Sequence, residues 1–149
     1  MEERKGAITF MKNPMTLIGP EVKVGDKAKD FEATKKDLSD FCLCELKGKT
    51  VVISVVPSID TPVCEEQTKI FNKEASEFKD VVILTISCDL PFAQANFCAA
   101  KGIDNLIMLS DYKAHDFGTK YGFLIKELML LARGVVIIDK EGVVKYVEY

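Results

Sequence analysis

The chain has 149 residues, with 20 basic and 23 acidic side chains and a formal net charge of −3. That length suffices for one domain with a real hydrophobic core and no disulfide staples. Charges of both signs are interspersed, which gives no footprint for nucleic acid, and no apolar run approaches the ~18–20 residues that cross a bilayer.

Taken in chain order, Ala7–Met11 and Thr16–Ile18 flank Asn13-Pro14 and read as an N-terminal β-hairpin turning at that dipeptide. Residues 25–39 are polar and loop-like, with Phe31 as an anchor. Thr50–Val56 is a β-branched run suited to a buried strand. Pro62 to about Phe78 has helical spacing in Val63, Gln67, Ile70, Phe71, Ala75 and Phe78. Val81–Ser87 is a second buried strand, and Pro91–Lys101 a helix stopped by Gly102. Ile107–Leu109 reads as a short strand and Asp111–Tyr121 as a short helix. Val135–Asp139 and Val143–Tyr149 pair around the turn Asp139-Lys140-Glu141-Gly142. No repeat or linker interrupts this order. Alternating strands and helices ending in a hairpin imply a single α/β domain over residues 1–149, with helices packed on a mixed sheet.

Five cysteines and one histidine, His115, restrict the chemistry. A lone histidine excludes multi-His metal sites, and in a polar helix it reads as a surface residue. The odd cysteine count argues against a purely structural disulfide framework. Without a signal-peptide pattern in the first residues, a cytoplasmic location with reduced thiols is expected.

The most informative segment is Val55-Val56-Pro57-Ser58-Ile59-Asp60-Thr61-Pro62-Val63-Cys64-Glu65-Glu66-Gln67. It leaves a buried strand and opens a helix, with Pro62 suited to the first helical position and Thr61 to the N-cap. Cys64 then falls in the first turn, facing unsatisfied N–H groups and the positive end of the helix dipole. Both favour the nucleophilic thiolate. Glu65 and Glu66 oppose this unless they point to solvent, as expected here. Position alone leaves open that Cys64 is one more buried cysteine.

Ser54–Cys64 resembles the signature of bacterial thiol peroxidases, the atypical two-cysteine peroxiredoxins. The likeness extends to the N-terminal hairpin, to Thr85–Ala93, to Asn96–Ala100 and to Leu131–Asp139. It implies a thioredoxin-like α/β fold, a central mixed β-sheet flanked by helices with an N-terminal hairpin. By position, Cys64 matches the peroxidatic cysteine, Thr61 its hydroxyl partner, Arg133 the thiolate-stabilising arginine, Pro57 the shielding proline and Cys98 the resolving cysteine. Members of the family usually extend about twenty residues further into a final helix, which this sequence lacks; that bears on core coverage and on the dimer surface.

The resemblance implies reduction of hydrogen peroxide and organic hydroperoxides by Cys64, whose sulfenic acid condenses with Cys98, 34 positions further on, as an intrachain disulfide. Thioredoxin or a similar dithiol would then reduce it. No cofactor or metal is expected, and a homodimer is. Cys98 aligns with Gln94 and Lys101 rather than with Phe92, Ala95 and Ala99, which places it near the surface. Should the two cysteines lie beyond the ~7 Å that a disulfide tolerates, the first turn of the Cys64 helix must unwind. Cys42 and Cys44 read as core packing and Cys88 as a small apolar filler. Two other readings stay open, a thiol–disulfide carrier (without the usual Cys-x-x-Cys) and a non-catalytic thioredoxin-like interaction domain.

Overall fold

In the computed structural model the described residues are 2–60, 66–70, 73, 80–103 and 106–149. Strands β1 (Glu3–Phe10) and β2 (Asn13–Ile18) form the hairpin, followed by β3 (Glu32–Lys35), β4 (Asp40–Cys42) and a 3-10 turn at Leu43–Leu46. Strand β5 (Thr50–Val55) precedes helix α1, described at residues 66–70 and 73. Then come β6 (Val81–Ser87), α2 (Pro91–Lys101), β7 (Ile107–Ser110) and α3 (Asp116–Tyr121). The chain closes with β8 (Leu124–Ile125), β9 (Leu130–Leu131), β10 (Gly134–Ile138) and β11 (Val144–Glu148).

Seven strands make the central sheet in the order β11-β10-β5-β6-β7-β3-β4, and a second sheet has the order β1-β2-β8-β9. Strand β5 lies parallel to β6, and β6 to β7, whereas β10 pairs antiparallel with β5. This is the expected thioredoxin-like arrangement, a mixed sheet with helices on it and a hairpin at its N-terminus. The period-2 pattern divides the core. Val51, Ile53, Val55, Leu84, Ile86 and Leu109 enter one cluster, whereas Ile83 and Met108 enter the other with Phe97 and Cys98 of α2.

The larger cluster is organised by aromatic rings. Phe31 meets Phe117 and Tyr121 edge-on at centroid distances of 5.0 and 5.8 Å, and Phe117 stacks on Phe123 at 5.7 Å. The anchor role expected of Phe31 is thus its actual one. Tyr121 donates to the Lys29 carbonyl at 2.6 Å, and Tyr149 to the Tyr121 carbonyl at 2.7 Å. These bonds hold the irregular segment before β3 and the last residue onto the same cluster.

Four details differ from the sequence expectation. The hairpin turns at Met11-Lys12, both with positive φ (50° and 68°), and Asn13-Pro14 belong to β2 opposite Phe10 and Thr9. Positive φ at both positions is what a two-residue loop of the type I′ form requires, whatever turn residues lie beside it. The polar stretch 25–39 contains β3, which pairs with β4 and β7 despite its short, charged sequence. Strands β8 and β9, two residues each, lack any periodic signal. Finally, α3 begins only at Asp116, because the chain before it turns around the Asp111 carboxylate. That carboxylate accepts the Phe117 and Gly118 N–H groups at 3.0 and 2.8 Å, and half-buried His115 at the helix N-cap has a φ of 52°.

Two consequences are measurable. A methyl group at Gly134 would sit 2.2 Å from the Glu148 carbonyl oxygen and 2.5 Å from the Phe123 ring. Gly134→Ala should therefore destabilise by about 1–3 kcal/mol through overpacking, read from urea unfolding; an unchanged midpoint would refute the close packing. Burial raises the Asp111 carboxyl to about 6 against the opposing pull of its two N–H donors. A raised carboxyl contributes stability below its unfolded value that is lost as pH rises through about 6. The stability of the wild type relative to Asp111→Asn should fall from pH 4 to pH 7 by on the order of 3 kcal/mol. A pH-independent difference would count against it.

Candidate functional site

The C-terminal end of β5 delivers the chain to Val56 and Pro57, both buried. Strand β10 runs the other way beside it, with Gly134 opposite Val55, so one step further along the register Arg133 lies level with Val56. Helix α1 approaches the same edge. Gln67 donates from Nε2 to the Ser54 hydroxyl at 2.7 Å, fastening the helix to β5 just before the strand ends. Pro57, Gln67 and Arg133 line one cavity of about 510 Å³, walled also by Phe10 of the hairpin, Ile125 and Tyr149. The volume is in the range of small-molecule sites.

Of the site residues expected from sequence, Pro57 and Arg133 are thus brought together, with half-buried Arg133 in the lining of this cavity. Thr61 and Cys64 lie outside the described residues, as do Pro62, Val63 and Glu65. Glu66 is exposed, as expected.

Cys98 is not near the surface. It is 5% exposed and packs with Val56, Ile59, Phe97 and Ile103. The expected faces of α2 are reversed: Pro91, Gln94, Phe97 and Cys98 point inward, while Phe92 is 63% exposed. Polarity suggests solvent for Gln94, yet the residue is fully buried. Its Nε2 donates to Ser87 Oγ at 3.1 Å and to the Leu109 carbonyl at 2.7 Å, which holds the amide inside the core although its buried Oε1 has no partner among the described residues. Burial pushes the Cys98 thiol up, opposed by the Lys36 charge. The Cys98 carbonyl also closes α2, accepting from Gly102 and, at 3.0 Å, from Ile103.

Asp89 was not singled out from sequence, yet it organises the segment that leads toward Cys64. Its carboxylate accepts the Ser58 hydroxyl at 2.9 Å, the Ile59 N–H at 2.9 Å and the Ser87 hydroxyl at 2.7 Å. The available signal was an acidic residue just past the C-terminal end of a buried parallel strand, where open α/β sheets carry their sites. Gln67 was visible only as part of a helical pattern, without a role.

Cys88 packs at the edge of the larger cluster, as expected of a filler, and its thiol is pushed up to about 12 by burial first and by the charges of Asp111 and Asp89 next. Both causes disfavour the thiolate, which is the nucleophilic form. Cys42 and Cys44 are not core packing: Cys44 is exposed, Cys42 half-buried, and the two are joined in a disulfide. Strand β4 ends at Cys42 and the backbone tightens into the 3-10 turn, which carries Cys44 outward. Asp30 offers a carboxylate oxygen within 4.8 Å of both sulfurs, the one group of possible metal ligands among the described residues. With the sulfurs bonded to each other it does not provide two thiolate ligands.

Residues 23–149 match the family model described as Redoxin. The chain is 56% identical over 142 residues to the thiol peroxidase of Oceanobacillus iheyensis and 53% identical to that of Bacillus subtilis. Each match covers 95% of this chain, and 87% and 85% of the respective relative. Among solved structures, a peroxiredoxin-like protein from Aquifex aeolicus superposes with a TM-score of 0.86 at 46% identity, covering 92% of this chain and 81% of that one. A thiol peroxidase from Chromobacterium violaceum shares the fold, with a TM-score of 0.80 at 21% identity over 90% and 79% of the two chains. With the cavity between β5, α1 and β10 in place and identity above one half across nearly the whole length, the chain belongs to the Redoxin family and, within it, to the bacterial thiol peroxidases.

Proposed function

We propose that this protein reduces hydroperoxides with Cys64 as the attacking thiolate and Cys98 as the thiol that resolves it. The observation that carries the reading is the joining of Pro57, Gln67 and Arg133 around one cavity in a chain 56% identical to a thiol peroxidase. In the sequence Cys64 stands three residues before Gln67. A guanidinium remains charged at any working pH and so favours the thiolate over the thiol. Thr61 serves as hydroxyl partner to the sulfur, and Pro57 supplies a donor-free wall.

In the first step the Cys64 thiolate attacks one peroxide oxygen, the O–O bond breaks, and the leaving alkoxide or hydroxide takes a proton. Cys64 becomes a sulfenic acid and the peroxide has accepted two electrons. Arginine and backbone N–H groups stabilise the charge that builds on the leaving oxygen. In the second step the Cys98 sulfur displaces hydroxide from the sulfenic sulfur, water leaves and an intrachain disulfide forms. A dithiol of the thioredoxin type restores both thiols by exchange.

Burial of Cys98 adds a requirement to this scheme. Burial in the second core cluster disfavours its thiolate, and its carbonyl caps α2. Resolution therefore needs the last turn of α2 to open, in addition to any movement at the start of α1.

The finer assignments belong to the same proposal: one domain throughout, a cytoplasmic setting and a homodimer. Exposed Leu90 and Phe92, adjacent at the start of α2, support a self-association surface.

Cys64→Ser should abolish peroxide consumption in a thioredoxin-coupled assay, and full retention would overturn the scheme. Cys98→Ser should give a trappable Cys64 sulfenic acid after one equivalent of peroxide, where the wild type gives a Cys64–Cys98 disulfide by mass spectrometry. Resolution should accelerate with pH as more Cys98 is deprotonated. Amide exchange over residues 98–103 should rise in the disulfide form, and identical exchange in both redox states would refute the opening of α2.

A further inference from the structure

We propose that Cys42 and Cys44 form a second thiol–disulfide couple, remote from the peroxide cavity, that exchanges electrons with external disulfides. The pair is held for this. Its Cα atoms are 5.1 Å apart, inside the ~4.4–6.8 Å span that disulfides occupy. The closeness has a local cause, since β4 ends at Cys42 and the 3-10 turn begins at the next residue.

Carboxylates pin the backbone of both cysteines. Glu45 accepts the Cys42 N–H at 3.1 Å and also pairs with the Lys35 ammonium at 3.5 Å. Asp30 accepts the Cys44 N–H at 3.1 Å. Between the two cysteines, half-buried Leu43 packs against the main core, and buried Leu46 follows. The turn is therefore anchored from below while its sulfurs remain accessible. Cys44 is exposed and lines a cleft of about 620 Å³ with Lys27, Lys47, Lys49 and Lys140 around it. These ammonium groups favour a thiolate on reduction, whereas the Asp30 carboxylate within 4.8 Å of both sulfurs opposes it, as do Asp139 and Glu141 in the same cleft. Cys88 and Cys98, by contrast, are shielded and have raised thiols.

This cleft and the peroxide cavity lie at opposite ends of one strand. Val51 at the start of β5 lines the cleft, and Pro57 beyond its end lines the cavity. Six residues of extended chain separate them, roughly 20 Å. Cys42 and Cys44 are thus too far from that cavity to resolve a cysteine there within the same chain, and the partner must come from outside. A metal site is the weaker reading, because Asp30 and two thiolates make three ligands where structural zinc takes four.

The exchange balances without further reagents. The Cys44 thiolate attacks one sulfur of an external disulfide, whose S–S bond breaks; one thiolate leaves and takes a proton. The Cys42 thiolate then attacks Cys44 Sγ, expelling the second thiolate, which is protonated in turn. Two electrons have passed to the external disulfide, now two thiols, and the reverse sequence restores the dithiol.

The test is redox equilibration of the full-length chain in glutathione buffers, followed by acid quench, differential alkylation and peptide mass mapping of residues 42–44. A parallel arm uses a purified thioredoxin in defined redox states. The two labels should disappear together with the loss of two hydrogens, and the oxidised fraction should follow the ratio of oxidised glutathione to the square of reduced glutathione. Response to glutathione assigns a low-molecular-weight partner, and response to thioredoxin alone assigns a protein. Cys42→Ser should leave Cys44 forming only a mixed disulfide. Cys64→Ser should titrate identically at residues 42–44, so failure of the peroxidase scheme does not decide this one. Two thiols that stay alkylatable under every oxidised condition in both arms, or that respond only as independent mixed disulfides, would overturn the proposal.

Discussion

Strand β5 is the constraint on which the rest depends. Val51, Ile53 and Val55 are buried in one cluster, and the strand is paired on both edges, parallel to β6 and antiparallel to β10. Because every backbone group of such a strand must find its partner in register, sliding any neighbour by one residue would turn its apolar side chains to the wrong face. The same register that buries the core carries Arg133 alongside the exit of β5 and sends Pro57 into the cavity. At the opposite end it sets the cleft beside Cys44.

Burial divides the sulfurs by reactivity. Cys98 points from α2 into the core, and Cys88 is partly buried with carboxylates nearby, which disfavours a thiolate there. Cys44 is in water. The chemistry attributed to Cys98 thus depends on a helix end that opens, whereas that attributed to Cys42 and Cys44 needs only access from outside. Local stability, lower at helix ends than in sheet centres, is the physical basis of that contrast.

Much of the fold was legible in the residues. The β-branched runs of β5 and β6 and the bounds of α2, set by Pro91 and Gly102, follow from local chemistry, and the α2 bounds match the structure to the residue. Strands β3, β8 and β9 were not legible, since two to four residues carry no usable period and are strands only because a neighbour offers its edge. At the site, Pro57 and Arg133 were visible through the family pattern. Asp89 and Gln67 were not, because their importance lies in bonds to Ser58, Ile59 and Ser54 across distant parts of the chain.

By itself the sequence determined the order of the main strands and helices and the family, because propensity, turn chemistry and motif spacing act over a few residues. Tertiary structure alone decided which face of α2 is buried and with it the burial of Cys98. It also decided the meeting of Arg133 with Pro57 and the exposure of Cys44. Each of these depends on what another segment places alongside, and a buried glutamine with two partners in the core can reverse what polarity alone suggests.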